Sequence, residues 1–284
     1  MGCGYCFSTF QDLDRGTMPV DEAKQLIADL IANGSEKITY VGGEQLLYKP
    51  LIELMTFAKS LGATNMIVSN GSMMTNEWLE KARPVLDWIT LSIDSIDEET
   101  LKKIGRSTNK DEVMTEGKLD DLIQTIRSLG FRLKINTVVS AYNLKEDLTP
   151  FIERHCPERW KLFHVRLVEG QNTSEQDRKG LVVLGNSAID RFLISKEDYT
   201  RFVERHQRVR SLGIDLVDED EDLMKGSHVM VDPQGRFFDA ETDTHRYSDP
   251  ILKVGLKNAF SQVFFSQLKF DKRRGCYDWI SQVE

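Results

Sequence analysis

The chain has 284 residues, of which 40% are hydrophobic and 29% charged, with a formal net charge of −8. That balance is an ordinary globular one: no apolar run approaches the roughly 20 residues of a membrane span, and the acidic excess argues against a general nucleic-acid binder. Cys3, Cys6, Cys156 and Cys276 are too few and too scattered for a disulfide framework, which fits a reducing, cytoplasmic setting with free thiolates.

The pattern then alternates. Pro19 opens a helix over 19–34 that Asn33-Gly34 closes, and the β-branched run Ile38 to Val41 follows as a strand. Helix 49–62, strand 64–69, helix 75–83 and strand 88–93 come next. Helices at 97–105 and 112–129 precede a strand at 132–139, and a helix at 145–154 precedes a strand at 161–168. Strands separated by helices of this length imply βαβ units and a parallel sheet, in the manner of a full or partial β/α barrel. Past Val168 the chain turns polar, and a division into residues 1–170 and 171–284 is expected, the second part covering the site. That part should hold a helix at 195–212, a hairpin from His228 to Phe238 around Asp232-Pro233-Gln234-Gly235, a helix at 255–268 and a basic tail.

In a β/α barrel, chemistry collects at the C-terminal ends of the strands. Gly42-Gly43-Glu44, Ser69-Asn70-Gly71 and Ser92-Ile93-Asp94 all fall there. Near the start stands Cys3-Gly4-Tyr5-Cys6-Phe7. Taken alone, the two cysteines are as readily half of a zinc site or simply terminal thiols as they are part of a larger metal site.

Cys-x-x-Cys with an aromatic neighbour, followed by Gly-Gly-Glu after one βα unit, resembles the signature of radical S-adenosylmethionine (SAM) enzymes. That family uses C-x-x-x-C-x-x-C. The first cysteine would fall two positions before Met1, so the chain is expected to begin inside its own cluster loop, without the strand that carries it. The resemblance extends through Val68-Ser69-Asn70-Gly71-Ser72, Ile104-Gly105-Arg106, Lys134-Ile135-Asn136-Thr137, Arg159-Trp160-Lys161 and Glu169-Gly170-Gln171-Asn172. It ends in Lys272-Arg273-Arg274-Gly275-Cys276-Tyr277-Asp278-Trp279. These segments together resemble the viperin family of antiviral radical SAM enzymes and its microbial members.

The resemblance implies a partial (β/α)6 radical SAM barrel lacking its first strand, with a hairpin and helix extension and a basic tail. It implies a [4Fe-4S] cluster on Cys3 and Cys6. SAM would be held by Gly42, Gly43, Glu44, Ser69, Asn70, Ser92 and Arg106, with the arginine fork on its carboxylate. A nucleoside triphosphate would be gripped by Lys37, Lys134, Asn136, Arg159, Lys161 and Arg273. The reaction implied converts CTP, UTP or GTP to the chain-terminating 3′-deoxy-3′,4′-didehydro nucleotide, a lyase step begun by hydrogen abstraction from ribose C4′. A reductase, flavodoxin or ferredoxin would supply electrons. His228 stands where vertebrate members carry a tyrosine, and is expected to donate a proton or to contact base or phosphate. A radical SAM enzyme on a non-nucleotide substrate, or an inactive SAM-fold binding protein without its first cluster cysteine, are the alternatives.

Overall fold

The computed structural model of the chain describes residues 2–10, 16–108, 112–173 and 188–278. Its elements in chain order are α1 (Val20–Ala32), β1 (Lys37–Tyr40), α2 (Leu51–Ser60), β2 (Thr64–Ser69), α3 (Asn76–Ala82) and β3 (Trp88–Ser92). Then follow α4 (Glu98–Ile104), α5 (Glu116–Ser128), β4 (Arg132–Val139), α6 (Thr149–His155), β5 (Arg159–His164), α7 (Lys196–Arg205) and β6 (Asp215–Glu219). The C-terminal part holds α8 (Glu221–Met224), β7 (Met230–Val231), β8 (Arg236–Asp239), β9 (Arg246–Pro250), α9 (Ile251–Val254), α10 (Leu256–Phe260) and α11 (Gln267–Lys272).

β1 to β6 pair in sequence order into a six-stranded sheet, every pair parallel. Each connection carries helix back over one face, and that face is apolar. Ile67, Ile89, Leu91, Leu133, Ile135, Trp160, Leu162 and Leu216 point there and are buried among the helices. Each such side chain contributes roughly 1.5–3 kcal/mol on burial. α5 shows the matching helical period, with Leu119, Leu122, Ile123 and Ile126 turned inward. Thr115 caps its first turn by accepting from the Lys118 amide at 3.3 Å.

The opposite face is polar. Strand alternation sends Thr90, Lys134, Arg159 and Asp215 to it in one row, and Ser92, Asn136, Lys161 and Val217 in the next. Charged residues on the inner face of a curved parallel sheet are costly to desolvate, so this interior is not built as a packing core.

The structure corrects several sequence-based boundaries. β6 was not anticipated: its run Asp215-Leu216-Val217-Asp218-Glu219 alternates cleanly but follows the helix and 3-10 turn expected as a single helix at 195–212. The last strand of the sheet therefore comes from beyond residue 170. The helix expected at 255–268 is broken instead, with α9 and α10 meeting at Gly255, whose φ of +82° stops helical continuation, and α11 starting only at Gln267. The strand expected at 161–168 runs Arg159–His164. The hairpin turn at Asp232–Gly235 stands, but β8 also pairs with β9, giving a three-stranded antiparallel sheet. Met1, Trp279 and most of the polar stretch after Asn172 lie outside the described residues.

Candidate functional site

Two neighbouring regions gather the residues singled out in the sequence. The first is the rim at the C-terminal ends of β1 to β3. Glu44, just past β1, accepts from Ser69 Oγ at 2.9 Å and from Asn70 Nδ2 at 2.5 Å. The buried Ser69 hydroxyl thus serves Glu44 and is not directed at a ligand. Gln45 locks the turn by donating to the Val68 carbonyl at 2.6 Å. Among the described residues no cation pairs with Glu44, so its charge is open to one from outside. A small cavity lies alongside, lined in part by Asn70, Ser92 and Arg106.

Arg106 is held through Nε by the fully buried Asp94, which Tyr5 also engages through its hydroxyl. Asp94 also accepts from the Val138 amide at 2.7 Å, tying the pair to β4. The terminal nitrogens of the guanidinium carry no hydrogen bond among the described residues, which leaves a two-pronged fork for a carboxylate. Arg106 follows Gly105, the left-handed cap of α4, at φ +88°. A Cβ at Gly105 would come within 2.3 Å of the Gly2 carbonyl oxygen, so the glycine is what admits the cysteine loop.

That loop docks on the end of α4 through Gly2 N–H to Gly105 O and Gly4 N–H to Ile104 O, both at 3.1 Å. Cys6 N–H donates to Cys3 O at 3.1 Å, closing a turn that keeps both thiols on one small loop. Burial pushes both thiols up and outweighs the pull of the nearby Arg106 guanidinium toward their thiolates. A bound cation is the group that would reverse this. The chain supplies two thiolates here, while Cys156 and Cys276 are exposed. Among the described residues no three His, Cys, Asp or Glu side chains are arranged for a metal ion. The pair fits two of a cluster's ligands.

The second region is the polar interior of the sheet below that rim. Lys37, Lys134, Arg159 and Lys161 converge there from β1, β4 and β5, and Arg273 joins them from the end of α11. Burial, then the neighbouring cations, pushes Lys37 down to about 7 and Lys134 well below its ordinary value. Lys161, also desolvated, sits at about 8 with Glu219 pulling it up. Asn136 Oδ1 is buried without a hydrogen bond in the middle of this group. All six residues expected to grip a nucleotide are thus brought to one interior.

Two further groups there, Glu219 and Asp215, have no part in the sequence reading, and a third, Tyr277, stands in it only as a member of the tail motif. Glu219 ends β6 and is fully buried. It pairs with Lys161 and with Arg273 Nη1, the latter at 3.1 Å. Asp215 pairs with Arg159 at 2.8 Å and with Arg274. Tyr277 reaches into the interior, accepting from Lys37 Nζ at 3.0 Å, with the Arg159 guanidinium 4.1 Å from its ring centre. The basic tail is thus clipped onto β5 and β6 and not a solvated charge run. Only the alternation of Leu216-Val217 between acidic residues signalled β6, and nothing local signalled that Tyr277 reaches the interior.

His228 lies beside Glu219, with Nε2 at 3.6 Å from Oε2 and Nδ1 at 3.2 Å from Ser227 Oγ. Burial and then Arg273 push its imidazole down to about 3, so it is neutral near pH 7.

Residues 1–154 match the model of the radical SAM superfamily. The chain is 42% identical over 284 residues to an S-adenosylmethionine-dependent nucleotide dehydratase of Lacinutrix mariniflava, covering 98% of this chain and 56% of that protein. It is 41% identical over 287 residues to one from Flammeovirga pacifica, covering 98% of this chain and 92% of the relative. The chain belongs to the radical SAM nucleotide dehydratases. A vertebrate member of the family, the S-adenosylmethionine-dependent nucleotide dehydratase RSAD2 of Danio rerio, is 33% identical over 286 residues, covering 98% of this chain and 74% of that one. The chain thus spans little more than half of the first of these relatives and most of the other two. The fold is shared with more distant solved structures. Streptococcus suis SuiB bound to S-adenosylmethionine superposes with a TM-score of 0.63 at 16% identity, over 95% of this chain and 62% of that one. The AdoMet-bound anSMEcpe superposes with a TM-score of 0.66 at 13% identity, over 96% and 78%. A [4Fe-4S] cluster and SAM are the cofactors of this family. No helix among the described residues is long and apolar enough to cross a membrane.

Proposed function

We propose that this chain is a SAM-dependent lyase that dehydrates a nucleoside triphosphate, of the CTP, UTP or GTP class, to its 3′-deoxy-3′,4′-didehydro analogue. The observation that carries the reading is the polar interior, where five basic side chains from three strands and the tail face one space beneath the rim. A triphosphate is the common metabolite whose charge balances such a group, and Arg159 and Arg273 bring planar forks suited to phosphate oxygens.

In this reading Cys3 and Cys6 would supply two of the cluster's ligands, Glu44 would take the SAM ammonium, and Arg106 would take its carboxylate. Asn70 and Ser92, beside the same cavity, contact the remainder. Ser69 acts through Glu44, which it holds in place. When bound, cluster and SAM supply the reducing electron and the hydrogen-abstracting agent for ribose C4′. The chain's own work is placement and exclusion. Lys37, Lys134, Lys161, Arg159 and Arg273 fix the phosphates, and Asn136 offers the amide whose oxygen lacks a partner. The tail, clipped to β5 and β6, closes the lower side of the interior and keeps water from the reacting carbon. His228, neutral near pH 7, serves as a hydrogen-bonding contact to the substrate and not as an imidazolium acid. Electrons would come from a flavodoxin-, ferredoxin- or reductase-type donor in the cytoplasm. The segment from residue 171 onward would act mainly as the cover of the substrate site.

The test is anaerobic. Protein whose cluster has been loaded and verified by its absorbance is offered SAM, a reductant and each triphosphate in turn. 5′-Deoxyadenosine formation stimulated severalfold by one or more triphosphates is expected. No stimulation by any of them, with cluster and SAM bound, overturns the reading.

A further inference from the structure

Glu219 is an anion set in a space built for anions. It ends β6 on the sheet's inner face, opposite Phe163 in register, with no solvent exposure. Lys161 pairs with it, Arg273 Nη1 lies at 3.1 Å, and His228 Nε2 at 3.6 Å. The other interior carboxylate, Asp215, is engaged by Arg159 and Arg274. A carboxylate beside the phosphate-binding cations would be expected to weaken phosphate binding by simple repulsion. Its place is explained by what its absence would do.

The charged and titratable groups facing Lys161 come from every side. They are Glu219 from β6, Arg159 on its own strand, Lys134 from β4, Lys37 from β1, and Arg273 and His228 from the C-terminal part. Five of them, Arg159, Lys134, Lys37, Arg273 and His228, are cations or potential cations besides Lys161 itself. A buried ammonium in that company sheds its proton unless an anion stands beside it. A neutral lysine binds phosphate far less well. Arg273 has the same dependence in another form: Glu219 and the Ser227 carbonyl, at 3.0 Å, fix its guanidinium in the interior.

We infer that Glu219 is a positioning residue, a counter-ion built into β6 that keeps Lys161 protonated and Arg273 aimed into the substrate space. The inference rests on the reading that this interior takes a triphosphate. Lys161 is the group expected to titrate near 8, because Lys37 lies at about 7, His228 at about 3 and Lys134 well below its ordinary value. Glu219 itself stays ionised: burial alone would raise its carboxyl, but Lys161, His228 and Arg273 outweigh that and hold it far below the usual range.

The experiment is calorimetric titration of UTP and CTP into the unsubstituted protein, Glu219→Gln and Glu219→Asp, between about pH 7 and 9.5, where the terminal phosphate is ionised throughout. Affinity of the unsubstituted protein should fall as pH rises through about 8. In Glu219→Gln that fall should move to lower pH by about one unit, so that affinity at pH 8 drops by about fivefold. Glu219→Asp, with its charge drawn back by one methylene, should fall between. A general loss of structure would weaken binding at every pH without moving the profile. A profile unmoved in both carboxyl variants overturns the inference, as does tighter binding by Glu219→Gln, which would make the carboxylate a competitor of phosphate. Should Glu219→Gln fail to fold, Lys161→Arg carries the test. Its guanidinium stays charged across the window, so the added fall that begins near pH 8 should vanish and leave only the dependence of Lys37, which lies at about 7; persistence of the added fall overturns the assignment to Lys161. Absence of triphosphate binding by the unsubstituted protein overturns the nucleotide reading itself, a result distinct from bound nucleotide with an unmoved profile.

Discussion

Lys134 is a buried basic group with little compensation inside the protein. Its ammonium is buried on β4, among Lys161, Lys37 and Arg159, and no hydrogen bond or ion pair to it exists among the described residues. Burying a cation without a direct partner costs free energy that a nonpolar chain of similar length would not. Lys134→Met should therefore stabilise the free protein by about 1 kcal/mol, seen as a higher melting temperature. The same change should weaken triphosphate binding by about tenfold or more, the scale of one lost charge-assisted hydrogen bond. A lower melting temperature with unchanged affinity would show that Lys134 is structural. Stability given up at a site for the sake of a ligand is a common exchange.

At the level of elements, β2 shows how strands and helices are fastened. Asn65 is fully buried, and its Nδ2 donates to the Met55 carbonyl of α2 at 2.8 Å and to the Val85 carbonyl after α3 at 2.7 Å. Its own amide donates to Asp87 Oδ2 at 2.8 Å. One side chain thus joins a strand to both flanking connections. Asn65→Ala leaves two buried carbonyls without that donor, and should cost about 2–4 kcal/mol in urea unfolding. A cost under about 0.5 kcal/mol would mean that water or a rotated backbone replaces it. Ser69, four residues on, shows the same strand turning from structure to site as it holds Glu44 at the rim. α11 makes the complementary case. It is short and exposed, yet the Arg273, Arg274 and Tyr277 that follow it are tied to β1, β5 and β6.

On the scale of the whole molecule, the sheet divides its faces by chemistry, apolar toward the helices and cationic toward the interior. The net charge of −8 is therefore no guide to the charge at the site. An inorganic polyanion should read this directly. Tripolyphosphate at a concentration about one hundred times its dissociation constant should stabilise the protein by about 2.7 kcal/mol, visible as a raised melting temperature that declines with added salt. No rise at low salt would mean that the interior cations do not act as one anion site.

The strands and helices as far as β5 could be read from the sequence because their signals are local: β-branched runs, helical periods, caps at Thr75 and Asp97, and glycines at helix ends. The rim motifs were legible for the same reason, since each is a few consecutive residues at a strand end. Lys134 and Asn136 fall within the expected strand at 132–139, but Arg159 lies outside the one expected at 161–168, and the structure sets it beside Lys161 on the same face of β5. Tertiary structure alone decided what those faces meet. It placed β6 beside β5 and so delivered Glu219 and Asp215, from more than fifty residues further along the chain, to the cations they balance. It also brought Tyr277 against Lys37 across 240 residues. Charge pairing and desolvation act through space, and the separation of these partners along the chain carries no record of how close folding brings them.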